Sequence, residues 1–327
     1  MIDAQYKERT NLSTRLLAGR AFLIKTPQSA FYLKQMNSWL TTGSQGAVIY
    51  GRPRLGKTSA TRWILRMLQN IIGNFPAVEI PVRGQNVASE KAFFQHLLTC
   101  IKHRHAMIGT AGDKRDRFSQ WLINRAVRSP INGAVLFLDE AQLLQDHQYD
   151  WLVNISNELD KNGCRLFCLL VGQTELIEKK NTFINEGREQ IVGRFMVREL
   201  EFSGITSEID LISTLREFDQ TIYPNGSNKF FAESFIPLGV EGGFKLASLG
   251  PGMWQTFEKL WLEQGLFGRI NIPMHYFTSS LIYTLNSMVP KDKNNLSISH
   301  DVLVNAVSAS GFNESLRTLK AEFKSKR

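Results

Sequence analysis

The chain has 327 residues, with 39 Lys and Arg against 30 Asp and Glu and a formal net charge of +9. That length buries a sizeable core, enough for one large domain and a smaller one, and 43% hydrophobic with 21% charged residues argues against wholesale disorder. No apolar run approaches the roughly 20 residues that span a bilayer, and the opening MIDAQYKERTNLSTR has no apolar segment of the secretory kind. A cytoplasmic location without membrane contact is the expectation. The three cysteines fit no zinc spacing. Cys164 and Cys168 share one apolar run and read as small buried thiols. His103 and His105, two apart, would point to different faces of a helix.

In chain order, residues 1–25 read as a polar N-terminal arm carrying Lys7, Arg9, Arg15 and Arg20. Thr26-Pro27 breaks the chain before a helical pattern through Phe31, Met36 and Leu40 that ends at Thr42-Gly43. Ala47–Tyr50 is a short buried strand entering a glycine-containing loop. Trp63, Ile64, Met67, Leu68 and Ile71 then repeat at helical spacing up to Gly73-Asn74. Pro76–Val82 reads as a second strand, Ser89–Lys102 as a helix with Ser89 as its N-cap, 109–114 as a loop, and the segment around Phe118–Ala126 as a further helix closed by Ser129-Pro130. The apolar run GAVLFLDEAQ is a strand ending in two acids. A helix around Trp151–Leu159 and the strand Arg165–Gly172 follow, and Phe195–Phe202 is the last strand-like stretch.

Short apolar strands alternating with helices predict a parallel sheet covered on both faces, an α/β class. Beyond Ser203 helical patterns dominate: Ile209–Phe218, Trp254–Leu262, His275–Met288 and Asp301–Ala309. A Gly/Pro/Asn-rich stretch, 223–252, lies among them as an irregular insertion. The expected organisation is therefore an arm (1–25), an α/β core (26–202), a helical lid (203–313) and a basic C-terminal tail (314–327).

Chemistry concentrates first in GRPRLGKTS, residues Gly51, Arg52, Pro53, Arg54, Leu55, Gly56, Lys57, Thr58 and Ser59. Two glycines flank four residues and precede Lys-Thr, between a strand and a helix. Backbone N–H groups of such a loop wrap phosphates, and the helix N-terminus adds its positive end. Lys57 would reach the β- and γ-phosphates of ATP as a point charge, and Thr58 would offer a hydroxyl to Mg²⁺. About eighty residues on, Asp139 ends the strand where it could hold the Mg²⁺ through water, and Glu140 stands where a base could orient the attacking water. Gln173, at the end of the next strand, could sense the γ-phosphate. Arg188, Arg194 and Arg198 lie just before the last strand. An arginine there could neutralise phosphate charge in a neighbouring subunit, and Arg194 is favoured because Arg194-Phe195 stands at the strand entry. Arg269, after Gly268, could reach back over the nucleotide from the helical lid.

This arrangement of phosphate loop, Asp-Glu strand, polar strand end, Arg-Phe before the last strand and Gly-Arg in a helical lid resembles the AAA+ ATPases, from about Phe22 to Ser310. Within them, FLIKTPQSAFYLKQM, LDEAQLL and LVGQTEL look like the transposon regulator branch (the TnsC, TniB and MuB type), and the small size and short lid look like the CRISPR-associated version. The resemblance implies an Mg-dependent ATPase whose active site is completed between subunits. It also implies a ring or filament around double-stranded target DNA, in contact with transposase subunits and with a TniQ-type target-selection protein carrying a CRISPR effector complex.

The charge distribution agrees with a polyanionic partner. Residues 83–128 hold nine Lys and Arg against three acids, and residues 314–327 hold five against two. Arg83, Lys91, Lys102, Arg104, Lys114 and Arg115 are the expected phosphate contacts, binding without base readout. Alternatives within the superfamily are a replication initiator or loader and a secretion-associated ATPase. The initiator would usually carry a winged-helix module after the lid, and the secretion ATPase is disfavoured because no membrane segment is present. A helicase would need a second RecA-like domain, for which residues 203–327 are too short and too helical.

Overall fold

The computed structural model describes residues 23–84, 87, 89–223 and 226–325. Most of the expected arm (Lys7, Arg9, Arg15 and Arg20 included) and residues 326–327 of the tail lie outside the described residues. The chain divides into two compact units. Phe31–Pro53 and Ile64–Phe202 make the first. Residues 54–63 join 203 onward, and the residues before 31, in the second.

The first unit is built on five parallel strands: β1 (Gly46–Tyr50), β2 (Ala77–Pro81), β3 (Gly133–Asp139), β4 (Arg165–Gly172) and β5 (Arg198–Glu201), in the order β2-β3-β4-β1-β5. The longer helices of this half of the sequence are α1 (Pro27–Thr41), α2 (Lys57–Ile72), α3 (Glu90–Cys100), α4 (Ala111–Ala126), α5 (Asp146–Lys161) and α6 (Glu175–Asn185); the first residues of α1 and of α2 fall in the second unit. Strand residues alternate between faces, yet Ala134, Leu136 and Leu138 are fully buried and so are Val135 and Phe137. Both faces of the central sheet are therefore covered, which is why GAVLFLD and RLFCLLVG read as unbroken apolar runs. Cys164 and Cys168 are free buried thiols in this core, and burial raises the pKa of both.

Two local boundaries differ from the sequence reading. Helix α4 starts at Ala111, inside the expected loop, because Thr110 and Asp113 form a reciprocal cap: Thr110 Oγ1 accepts from the Asp113 N–H (3.2 Å) and Asp113 Oδ2 from the Thr110 N–H (2.8 Å). The last strand is shorter than its apolar pattern. Val192–Met196 winds as a π-helical turn, and only Arg198–Glu201 pairs with β1. Phe195 and Met196 are buried as helix residues rather than strand residues. An apolar run of that length fits either conformation.

The second unit is helical after Ser203: α7 (Glu208–Gln220), α8 (Gly250–Glu263), α9 (Met274–Met288), α10 (His300–Ala309) and α11 (Phe312–Ser325). Its core joins Leu211, Leu215, Phe218, Phe257, Phe277 and Leu285. The stretch expected as an irregular insertion supplies Phe231, Phe235, Ile236, Leu246 and Leu249 to that same core. It contains short turns at Ala232–Ser234, Pro237–Glu241 and Leu246–Leu249, and the Asp219 carboxylate accepts from the N–H groups of Leu246 (2.7 Å) and Ala247 (3.1 Å). Its Gly and Pro content thus reflects tight turns between buried aromatics. Helix α11 carries the basic residues Arg317 and Lys320 of the expected tail while burying Phe312, Leu316 and Leu319.

Replacing Thr110 by alanine removes half of the reciprocal cap, and the loss should lower unfolding stability by about 1 kcal/mol. Urea denaturation followed by circular dichroism measures it as a lower midpoint with an unchanged slope.

Candidate functional site

The register of the sheet gathers four of the sequence-predicted residues of the first unit at one edge. Tyr50 pairs with Gly172, and Asp139 pairs with Val171. Parallel strands end on the same side, so Gly51, Asp139, Glu140 and Gln173 share the strand-end edge, with β4 between the other two strands. The Gly51 N–H donates to the Gly172 carbonyl (3.3 Å), extending the ladder one residue into the loop.

Glu140 is exposed and left-handed, with φ 57° and ψ 40°. Gln142 Nε2 donates to its Oε2 (2.6 Å), and Gln142 Oε1 accepts from the Gln173 N–H (3.1 Å). Gln173 is half-buried at the tip of β4 and is tied here through its backbone. No sequence pattern had singled out Gln142. Its spacing two residues after Glu140 has meaning only once β4 is known to lie beside β3.

The rest of the glycine loop belongs to the second unit. Arg54 has φ 65° and Gly56 has φ 97°, a region that suits glycine and costs an L side chain. Leu55 and Lys57 are buried, and α2 starts at Lys57, directly after the loop. The Arg54 carbonyl accepts from the His275 N–H (3.2 Å) at the first turn of α9, and the Arg54 guanidinium donates to the Tyr276 hydroxyl (3.3 Å). A Cβ on Gly56 would stand 3.3 Å from Met274 Cβ. Burial, and secondarily the charge of Arg54, lower the pKa of His275. Sequence reasoning missed this contact because the two segments are over two hundred residues apart. It chose Arg269, which is exposed and donates to Thr206 Oγ1 (2.7 Å), within the helical unit.

The two candidate arginines are held differently. Arg188 is bound to Asp150 (2.6 Å) and Asp146 (3.7 Å) on the first turns of α5, and its guanidinium lies over Phe183. Arg194 donates to Ser156 Oγ (3.1 Å) and approaches Asp160 (3.5 Å) near the other end of α5. The neighbouring Phe195 backbone lies where a Cβ on Gly46 would fall, at the start of β1. Arg194 therefore sits by the strand-start edge, a strand length of about 16 Å or more from the edge that carries Glu140.

Of the six expected DNA contacts, Arg83, Lys91, Lys102 and Arg104 are exposed. Lys114 is not a surface residue. It is fully buried, and its amine donates to the Ala106 carbonyl. Burial, with the nearby charges of Lys91 and Arg117, lowers its pKa. Arg115 is half-buried in an ion pair with Glu90 (2.9 Å) and also approaches Asp116 (3.5 Å). The sequence could not separate these roles because Lys114 and Arg115 carry the same charge on adjacent positions of one helix, about 100° apart around its axis. Arg117, not selected from sequence, donates to the carbonyls of His105 (2.8 Å) and Ile108 (3.0 Å). Lys114 and Arg117 thus brace the turn 102–110 from beneath. The turn shows Lys102, Arg104, Met107 and Ile108 outward.

Residues 41–179 match a protein-family model described as an AAA domain. No match was found among curated protein sequences. Among solved structures, the chain is similar to the ORC2 protein of Aeropyrum pernix in its ADPNP–ADP complexes, with a TM-score of 0.55, 14% identity, and coverage of 90% of this chain and 71% of that one. It is similar also to Drosophila ORC bound to DNA, with a TM-score of 0.52, 12% identity, and coverage of 91% and 65% respectively. At these identities the likeness is one of fold. The comparisons and the strand order agree on the fold: residues 41–179 match an AAA domain, on a parallel α/β sheet of the P-loop kind followed by a helical part.

Proposed function

We propose that this protein is an ATP-dependent, sequence-nonspecific DNA-binding ATPase that assembles with copies of itself on duplex DNA, and that hydrolysis controls its release. The observation that carries the reading is the strand-end edge of the sheet, where Gly51, Asp139, Glu140 and Gln173 stand side by side, with Arg194 by the opposite edge. A set of residues that can hold and hydrolyse ATP is thereby parted, within one subunit, from the arginine expected to assist it. Such a division suits an arginine that acts on a neighbour's nucleotide.

In this reading Gly51–Gly56 and the start of α2 cradle the phosphates, and Lys57 places a cation against the β- and γ-oxygens. Glu140 orients and deprotonates the attacking water. The Thr58 hydroxyl and the Asp139 carboxylate are hard oxygen donors. They suit Mg²⁺, which keeps several waters and needs few protein ligands. When bound, Mg²⁺ would neutralise phosphate charge during transfer. Arg83, Lys91, Lys102 and Arg104 supply phosphate contacts to DNA. The likeness of fold to ORC proteins favours an initiator- or loader-like ATPase over the other readings. A transposition regulator is the second reading. It is favoured by the residues LDEAQLL and LVGQTEL, and its distinguishing partners would be transposase subunits and a TniQ-type protein. Pull-down of each purified partner, with ATP and DNA present, separates the two.

Lys57→Ala should abolish ATP binding in a fluorescent-nucleotide titration. Glu140→Gln should retain binding, keep only a small residual turnover, and lengthen the lifetime of the assembly on DNA seen by electron microscopy; an unchanged lifetime would refute the timing role. Arg194→Ala should lower turnover on the order of 10³-fold while sparing nucleotide affinity, and mixing it with Lys57→Ala should restore part of the activity.

DNA affinity should fall steeply with salt and change little with sequence. Each of Lys102→Ala and Arg104→Ala should reduce the slope of log affinity against log salt by about 1. Lys114→Ala, by contrast, should lower the melting temperature and leave that slope unchanged. A slope change in a Lys114 variant of undiminished stability would contradict its buried role.

A further inference from the structure

The amide of Gln142 is occupied at both ends. Its Nε2 donates to Glu140 Oε2 at 2.6 Å, and its Oε1 accepts from the Gln173 N–H at 3.1 Å. It lies so close over β4 that a Cβ on Gly172 would stand 2.2 Å from Oε1 and 2.8 Å from Leu176 Cδ1. Glu140 meanwhile holds a left-handed backbone, which costs an L residue roughly 1–2 kcal/mol and persists where its surroundings over-determine it. The turn that follows is fixed by bonds from the Leu143 N–H to the Glu140 carbonyl (3.0 Å) and from the Leu144 N–H to the Ala141 carbonyl (3.1 Å).

A bridge needed only for folding would account for half of this. The Gln173 N–H at a crowded strand tip gains from a protein acceptor. The carboxylate of Glu140 is exposed, and water would serve it as well as an amide does. What the amide adds is direction, because a carboxylate on a free side chain samples several rotamers and a tethered one does not. A carboxamide of this length both accepts from Gln173 and donates to Glu140, which a carboxylate or a thioether in its place cannot do.

We propose that Gln142 is a positioning residue for Glu140: its amide fixes the carboxylate against the tip of β4, so that the placement of the base follows the placement of Gln173. The proposal rests on the reading of Glu140 as the base. A shift of Gln173 when phosphate arrives moves the acceptor end of the bridge, and the donor end carries the carboxylate with it. Gly172 is part of the device, since any side chain there would displace the amide.

Gln142→Glu keeps the size and the acceptor, removes the donor, and sets two carboxylates against each other. Gln142→Met keeps the length and removes both bonds. Each should lower kcat for ATP hydrolysis 10- to 100-fold or thereabouts, with KM and the affinity for fluorescent ATP unchanged within about twofold. Gly172→Ala should reproduce the loss. The decisive readout is a double-mutant cycle: on a Glu140→Gln background, Gln142→Glu should have little further effect, because there is no base left to position. An undiminished kcat in both Gln142 variants, or an equal proportional loss with and without Glu140, overturns the proposal while leaving the ATPase reading intact. Full turnover in Glu140→Gln alone overturns the assignment of the base, and this proposal with it.

Discussion

Placement of β4 between β3 and β1 is the constraint on which the other arrangements depend. β4 is buried along seven of its eight residues, and its neighbours are apolar on both faces, so packing selects the register in which the backbone ladders of the three strands form. A one-residue slip would turn every side chain to the opposite face. It would also move Asp139 away from Val171 and Tyr50 away from Gly172. The grouping of polar residues at the strand-end edge is therefore a by-product of hydrophobic registry, and they occupy positions that the core has already decided.

Much of this was legible in the sequence, for a physical reason. Strands buried on both faces must be continuously apolar, and a glycine loop that approaches phosphate must interrupt such a run abruptly. Both signals are strong in AVIYGRPRLGKT and AVLFLDE. Legibility failed where one composition serves two conformations. Val192–Met196 is apolar enough for a strand and winds as a helix. The Gly/Pro-rich stretch before α8 reads as loose and instead supplies buried phenylalanines to the helical core. Contacts between residues far apart in sequence, such as Gln142 with Gln173 and Arg54 with Tyr276, leave no local trace at all.

Charge illustrates the same limit from the other side. Nine cations within residues 83–128 give a sound prior for a polyanion, yet they divide into two tasks. Some remain in solvent, available to a partner. Lys114 and Arg117 turn inward and satisfy carbonyls of a tight turn, which costs desolvation of the cation but keeps that turn in one shape. The inward pair confers on the outward pair, Lys102 and Arg104, a fixed spacing that a loose loop would lack. A rigid display of this kind loses less conformational entropy when it meets a partner.

The bond between the Arg54 carbonyl and the His275 N–H has a different consequence. It serves as backbone cap to the first turn of α9, which Pro273 itself cannot cap through a side chain. A substitution that reshapes the backbone at Arg54 therefore also uncaps a helix of the second unit, and the two defects arrive together. For divergence among related sequences, the side-chain pair beside it predicts paired change: Arg54, whose guanidinium donates to the Tyr276 hydroxyl, and the opening turn of α9 should drift as one unit, because losing either partner leaves the other without this bond.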